Sequence, residues 1–110
     1  MIKKGEIWLA EIPSKKGREQ EGKRPLIIIA DTDTSLALII PLTSNLLALK
    51  KFTYTLLIDK SEENNLNIDS IALIFQLQAI DKNRLIHKIG YLEENYLSEI
   101  NKILKNLLKL

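Results

Sequence analysis

The sequence predicts a mainly β fold, five or six short antiparallel strands forming a small barrel with a C-terminal helix as its cover. Two observations carry this. Between Glu6 and Ile89, short apolar runs alternate with clusters of Gly, Pro, Asp, Asn and Ser, the pattern of strands joined by turns. Beyond about Leu92 the apolar spacing changes to steps of three and four, the period of a helix.

Taken in order, Glu6 to Ile12 alternates, with Ile7 and Leu9 on one face and Trp8, Ala10 and Ile12 on the other. Pro13 and Ser14 end it, and a charged loop bracketed by Gly17 and Gly22 follows. Leu26 to Ala30 is a continuous apolar run, expected of a central strand buried on both faces. Asp31 to Ser35 is a turn cluster whose short oxygens bond local backbone. Leu36 to Leu42 is the third strand, and Pro41 is expected to place its end at a sheet edge or rim.

Phe52 to Ile58 is expected as the fourth strand and Asp59 to Asn67 as a loop. Ile71 to Ile80 reads as one long fifth strand. Its parity places Leu73, Phe75 and Leu77 on one face and Gln76 and Gln78 on the other. Asp81, Lys82 and Asn83 turn the chain into a short strand from Arg84 to Ile89, which ends at Gly90. In the tail, Leu97, Ile100, Ile103, Leu104, Leu107 and Leu108 form an apolar stripe. Glu93 and Glu94 lie at its start and Lys102, Lys105 and Lys109 towards its end, which suits the helix dipole.

Composition bounds the chemistry. A chain of 110 residues with 45% hydrophobic and 27% charged residues is expected to fold as one domain spanning 1–110. It has no cysteine, which excludes disulfides and thiolate metal sites. Met1 to Lys4 resembles the basic start of a signal peptide, but Glu6 and Glu11 interrupt any apolar segment after it. The longest apolar run, Leu36 to Leu42, is too short to span a bilayer. The expectation is a soluble, cytoplasmic protein. Net charge is only +2, yet Lys15, Lys16, Arg18, Lys23 and Arg24 cluster against Glu19 and Glu21, and Lys50 and Lys51 add a second basic spot. Such patches attract polyanions by releasing counterions.

Several site chemistries are unsupported. No Gly-rich phosphate loop is present, and no serine lies in a nucleophile-elbow context. Asp31-x-Asp33 lacks the glycine and distal Glu of a calcium loop and reads as a turn, so neither metal nor cofactor is expected. The lone histidine, His87, is mid-strand and reads as structural, because no second histidine completes an acid/base pair. Arg24 stands out. Pro25 biases it towards an extended backbone at the mouth of a strand, where a planar guanidinium can clamp a phosphate through two parallel hydrogen bonds. Thr43, Ser44 and Asn45 present two hydroxyls and an amide where the third strand meets its loop.

The string Gly5-Glu6-Ile7-Trp8, followed by Gly17-x-Glu19-Gln20-x-Gly22-x-Arg24-Pro25, resembles the N-terminal signature of the MazF/PemK family of toxin endoribonucleases. The resemblance continues through Ile40-Pro41-Leu42-Thr43-Ser44, Gln76, Ile80-Asp81-Lys82-x-Arg84-Leu85 and the helical tail, nearly the whole chain. It implies an SH3-like small barrel of the MazF/PemK/CcdB type. It also implies a homodimeric toxin that cleaves single-stranded RNA and is inhibited by a cognate antitoxin, with DNA bound only by the toxin–antitoxin complex and no membrane partner. Arg24 and Thr43 match the positions taken to act at the scissile phosphate, and Glu19, Gln20, Lys23, Ser44 and Gln76 are the implied substrate-binding residues.

This inventory suits attack of an RNA 2′-hydroxyl on its neighbouring phosphate, since the nucleophile is already in the substrate and no metal is required in principle. Two positions depart from the family pattern. Phe75 stands where many members carry Asp or Glu, and Leu73 where the PemK-like branch carries Arg. Phe75 therefore reads either as core or as an aromatic that stacks on an unpaired base, and Glu19 is one alternative source of acid/base help. The rival readings are a weak or inactive nucleic-acid-binding module and a CcdB-like gyrase inhibitor. Against the second, the chain ends Leu108-Lys109-Leu110 and not in the Trp-Gly-Ile of those relatives.

Overall fold

The computed structural model describes residues 1–12 and 22–110. In chain order these form β1 (Glu6–Glu11), β2 (Lys23–Asp31), β3 (Leu36–Thr43), a single helical turn α1 (Ala48–Lys51), β4 (Thr55–Ile58), β5 (Ser70–Leu73), β6 (Gln78–Asp81), β7 (Leu85–Tyr91) and α2 (Glu94–Leu108). Two 3₁₀ turns, Ile74–Gln76 and Lys82–Arg84, flank β6. The strands run in the order β4-β5-β3-β2-β1-β7, with β6 also on β3, and every pairing is antiparallel.

Both faces of β2 are buried, which is why its sequence is continuously apolar. Ile27 joins Ile7, Ile40, Leu42 and Ile58 in one core, while Leu26 and Ile28 join Ala10, Ala37 and Ile39 in a second. Helix α2 covers the first core. Ile100 is fully buried there, with Leu97, Ile103, Leu104 and Leu107 packed around it at the expected helical spacing. Burying an isoleucine of this kind contributes about 1.5–3 kcal/mol. The helix closes on Lys109, which adopts the left-handed conformation (φ 58°) that commonly ends a helix.

The structure corrects three sequence expectations. The long strand from Ile71 to Ile80 is broken in two. Carrying alternation from Ile71 onward assumes a straight chain, but a 3₁₀ turn at Ile74–Gln76 hands it from β5 to β6. Fully buried Ile74 anchors that turn in the first core, so the predicted sharing of faces by Gln76 and Gln78 does not hold. The third strand ends at a rim but not at a sheet edge, since Pro41 is buried in a central strand opposite Leu26. Its missing N–H is tolerated because β3 pairs with β6 through Ile39 and with β5 from Leu42, leaving Ile40 and Pro41 between the two ladders. The fourth strand begins at Thr55, not Phe52, because Ala48 to Lys51 coil into α1 and Ala48 is buried against Ile71 and Leu73.

Candidate active site

The N-terminal end of β2 and the C-terminal end of β3 meet at the same rim. Gly22 has φ +125°, in the region that favours glycine, and sets the direction in which Lys23 and Arg24 enter the sheet. Arg24 pairs with Ala10 of β1. The β2–β3 ladder includes Leu26 opposite Pro41, and the same register carried two residues further brings Arg24 level with Thr43. Both residues line one open cavity of about 580 Å³, together with Lys23 and Ser44.

Local hydrogen bonding prepares the Thr43 hydroxyl. The Asn45 N–H donates to Thr43 Oγ1 (3.2 Å), and the Leu47 N–H donates to Asn45 Oδ1 (3.1 Å), so the chain turns sharply after β3. A hydroxyl has one donor and two acceptor positions. The Asn45 bond uses an acceptor position and leaves the O–H available to a ligand oxygen.

The other wall comes from parts of the chain that the sequence reading left out of the site. Asn65, Asn67 and Ile68 of the segment between β4 and β5 line it, as do His87 and Lys88 of β7. The segment is fixed by a buried polar knot. Asn64 is fully buried, and its amide donates to the Asp59 carbonyl (2.9 Å) and to Glu93 Oε1 (3.1 Å). Its Oδ1 accepts from the backbone N–H groups of Ser61 (2.9 Å) and Leu66 (3.1 Å). Asn65 then reaches across to the Ile89 carbonyl (3.0 Å), tying the segment to β7. The run of Glu, Asn and Asn before Leu66 was the available signal, since short polar side chains bond local backbone.

The charged residues of the lining are all cationic. Lys23, Arg24 and Lys88 line the cavity, and no carboxylate does among the described residues. Lys88 donates to Tyr91 Oη (2.8 Å) and lies 3.4 Å from Glu6 Oε2. Those contacts, the Tyr91 bond foremost, hold its ammonium pKa above the ordinary lysine value despite some desolvation. Burial pushes the Glu6 carboxyl up, but the Trp8 indole N–H, the Lys3 N–H and the Lys88 ammonium outweigh it, and the pKa lies below its usual 4.5.

Of the residues singled out from sequence, Arg24, Thr43, Lys23 and Ser44 share the cavity. Gln76 is exposed on the 3₁₀ turn, outside the lining, where its carbonyl accepts from the Gln78 side chain (3.1 Å). Glu19 and Gln20 lie outside the described residues. Phe75 is half-buried and packs on Phe52, ring centroids 4.7 Å apart, and against Ala48, Ile71 and Leu73. His87, expected to be a structural residue, is exposed and lines the cavity. Asp31 accepts from the Asp33 N–H (2.8 Å) and pairs with Lys82 (2.7 Å), which identifies Asp31-x-Asp33 as an Asx turn. Among the described residues no group of three or more His, Cys, Asp or Glu is placed to hold a metal.

The family model for the PemK-like, MazF-like toxin of type II toxin-antitoxin systems matches residues 3–108. The Endoribonuclease MazF of Staphylococcus saprophyticus is 34% identical over 104 residues, covering 92% of this chain and 86% of that one. The structure of the Mycobacterium tuberculosis toxin MazF-mt6 superposes with a TM-score of 0.74 at 19% identity, covering 96% of this chain and 97% of that one. The MazE–MazF structure from Deinococcus radiodurans gives a TM-score of 0.72 at 19% identity, over 96% and 94%. The fold is therefore that of the MazF structures, and the chain belongs to the PemK-like, MazF-like toxins of type II toxin-antitoxin systems.

Proposed function

We propose that the protein is a cytoplasmic toxin endoribonuclease, one domain over 1–110, that cleaves single-stranded RNA without a metal ion. The observation that supports this reading is the presence of Arg24 and Thr43 in the lining of one cavity, with the Thr43 oxygen accepting from the Asn45 N–H and its own O–H left to donate. The name of its Staphylococcus saprophyticus relative supports it. In the reaction the substrate's 2′-oxygen attacks the adjacent phosphorus and the bond to the 5′-oxygen breaks, leaving a 2′,3′-cyclic phosphate and a 5′-hydroxyl. Arg24 clamps two non-bridging oxygens, and Thr43 donates to the same phosphate as charge builds on it. Lys23 and Ser44 hold the strand, with Glu19, Gln20 and Gln76 contributing along its path.

The active species is a homodimer. Leu46, Leu47, Leu49, Phe52 and Leu57 are exposed around α1 and β4, and clustered exposed apolar side chains favour a protein–protein interface there. A cognate antitoxin inhibits by laying an acidic segment across the Lys15–Arg24 stretch and covering Arg24, as charge complementarity favours.

Incubation with mixed single-stranded RNA tests the reading. New 5′-hydroxyl ends support it. Retention of RNA without new ends favours an inactive binding module, to which apolar Phe75 points, and inhibition of gyrase alone favours the CcdB-like reading.

A further inference from the structure

From the turn that follows β3 we infer that the Asn45 side chain is a positioning group for the reaction, acting on RNA only through Thr43. The inference rests on the ribonuclease reading and names what holds its neutral donor in place. Thr43 and Ser44 line the cavity, whereas Asn45 lies outside the lining.

A threonine on a half-buried rim has three staggered χ1 wells, and only one of them aims the O–H at a given phosphate oxygen. The Thr43 main chain is fixed, because Thr43 pairs with Ile71 of β5. Among the described residues its side chain makes one hydrogen bond, accepting from the Asn45 N–H at 3.2 Å. That donor is main chain, so any residue but proline would supply it at position 45. What the asparagine side chain adds is its direction.

Asn45 Oδ1 accepts from the Leu47 N–H (3.1 Å), and the Asn45 carbonyl accepts from the Ala48 N–H (3.1 Å). Ala48 is buried against Ile71, the ladder partner of Thr43. The contacts close a ring from Thr43 to Ile71, Ala48, Asn45 and back to Thr43, with the Leu47 bond as a brace across its turn. Asn45 and Leu47 are both exposed. Water therefore takes up the Leu47 N–H when the brace is removed, and the loss falls on the aim of the Thr43 hydroxyl. A side chain released to all three wells spends about a third of its time in the productive one, and a loosened turn lowers that share further. The expected loss is about three- to tenfold in rate, short of the 10²–10³ or so expected for losing the hydroxyl itself.

The experiment maps the bond cut by the parent, then measures single-turnover cleavage by the parent, Asn45→Ala, Asn45→Ser, Thr43→Val and the Thr43→Val/Asn45→Ala double variant. Melting curves accompany each, and affinity is measured with RNA carrying a 2′-deoxy nucleotide at the cleaved position. For Asn45→Ala, parent-like affinity and melting are expected with a rate lower by about three- to tenfold. Asn45→Ser should recover most of that rate, because a serine hydroxyl also bonds the backbone two residues on. The double variant should cut no more slowly than Thr43→Val, since without Oγ1 nothing is left to position. An equal loss in both backgrounds overturns the inference, as does Asn45→Ala cutting at the parent rate, and both leave the ribonuclease reading in place. The parent alone supplies a second check through the three-bond couplings of Thr43. One χ1 rotamer is expected, and averaging over several overturns the inference. A parent that cuts no RNA overturns both readings.

Discussion

A Cβ built on Gly90 would lie 2.6 Å from the carbonyl oxygen of Asn64, so β7 and the segment between β4 and β5 touch backbone to backbone. That contact sets the cavity wall, since Asn65 and Asn67 line it from one side and His87 and Lys88 from the other. Gly90→Ala cannot be absorbed by a flexible side chain because the obstacle is main chain. It is expected to cost about 1–3 kcal/mol, the usual range for overpacking, and to weaken RNA binding by displacing the wall. Thermal melting paired with an RNA titration checks both.

Asn64→Ala is the complementary change. It leaves the Ser61 and Leu66 N–H groups and the Asp59 carbonyl without their side-chain partner. Unsatisfied buried groups cost about 1–3 kcal/mol each, and partial solvation of this segment brings the expected total to about 2–4 kcal/mol. A drop in the denaturation midpoint with unchanged denaturant slope is the expected result.

The Glu6 carboxylate, almost fully buried between Trp8, Lys3 and Lys88, has a folded-state pKa below its usual 4.5. The stability it contributes is therefore fully present above that value and is lost as pH falls through the lower folded-state value. Glu6→Gln should flatten the acid limb of the stability–pH curve below about pH 4.5 and leave the curve's shape near neutrality unchanged. Denaturation midpoints measured across the acid range decide this.

Cleavage should persist with excess EDTA. In the proposed mechanism the nucleophile is on the RNA, and the developing charge would be met by Arg24 and Thr43, which line the same cavity. An activity abolished by EDTA and restored by magnesium would require a different arrangement of charge.

Much of this was legible in the sequence because the relevant forces are local. The Ile27–Ile28 run, the turn at Asp31-x-Asp33 and the stripe through Ile100 follow from side-chain chemistry and spacing alone, and the elements match. Arg24 and Thr43 drew notice for another reason, the family resemblance of their surrounding strings, and the structure brings the two to one cavity. The rest depended on partners distant in sequence. The break at Ile74 is dictated by burial in a core assembled from other strands, and alternation cannot register it. Pro41 reads as an edge residue until β5 and β6 are known to divide one side of β3. His87 reads as structural until pairing with Leu9 brings β7 to the cavity.

The central claim is that Arg24 stabilises the transition state through the geometry of its guanidinium and not merely through its charge. Arg24→Lys keeps the charge but not the two-pronged contact. The measurement is the single-turnover cleavage rate of folded Arg24→Lys beside its affinity for uncleavable RNA, with Thr43→Val run in parallel. The account predicts near-parental affinity and a rate lower by about 10²–10³, roughly 3–4 kcal/mol of transition-state binding. A folded Arg24→Lys protein that cuts RNA as fast as the parent would contradict it.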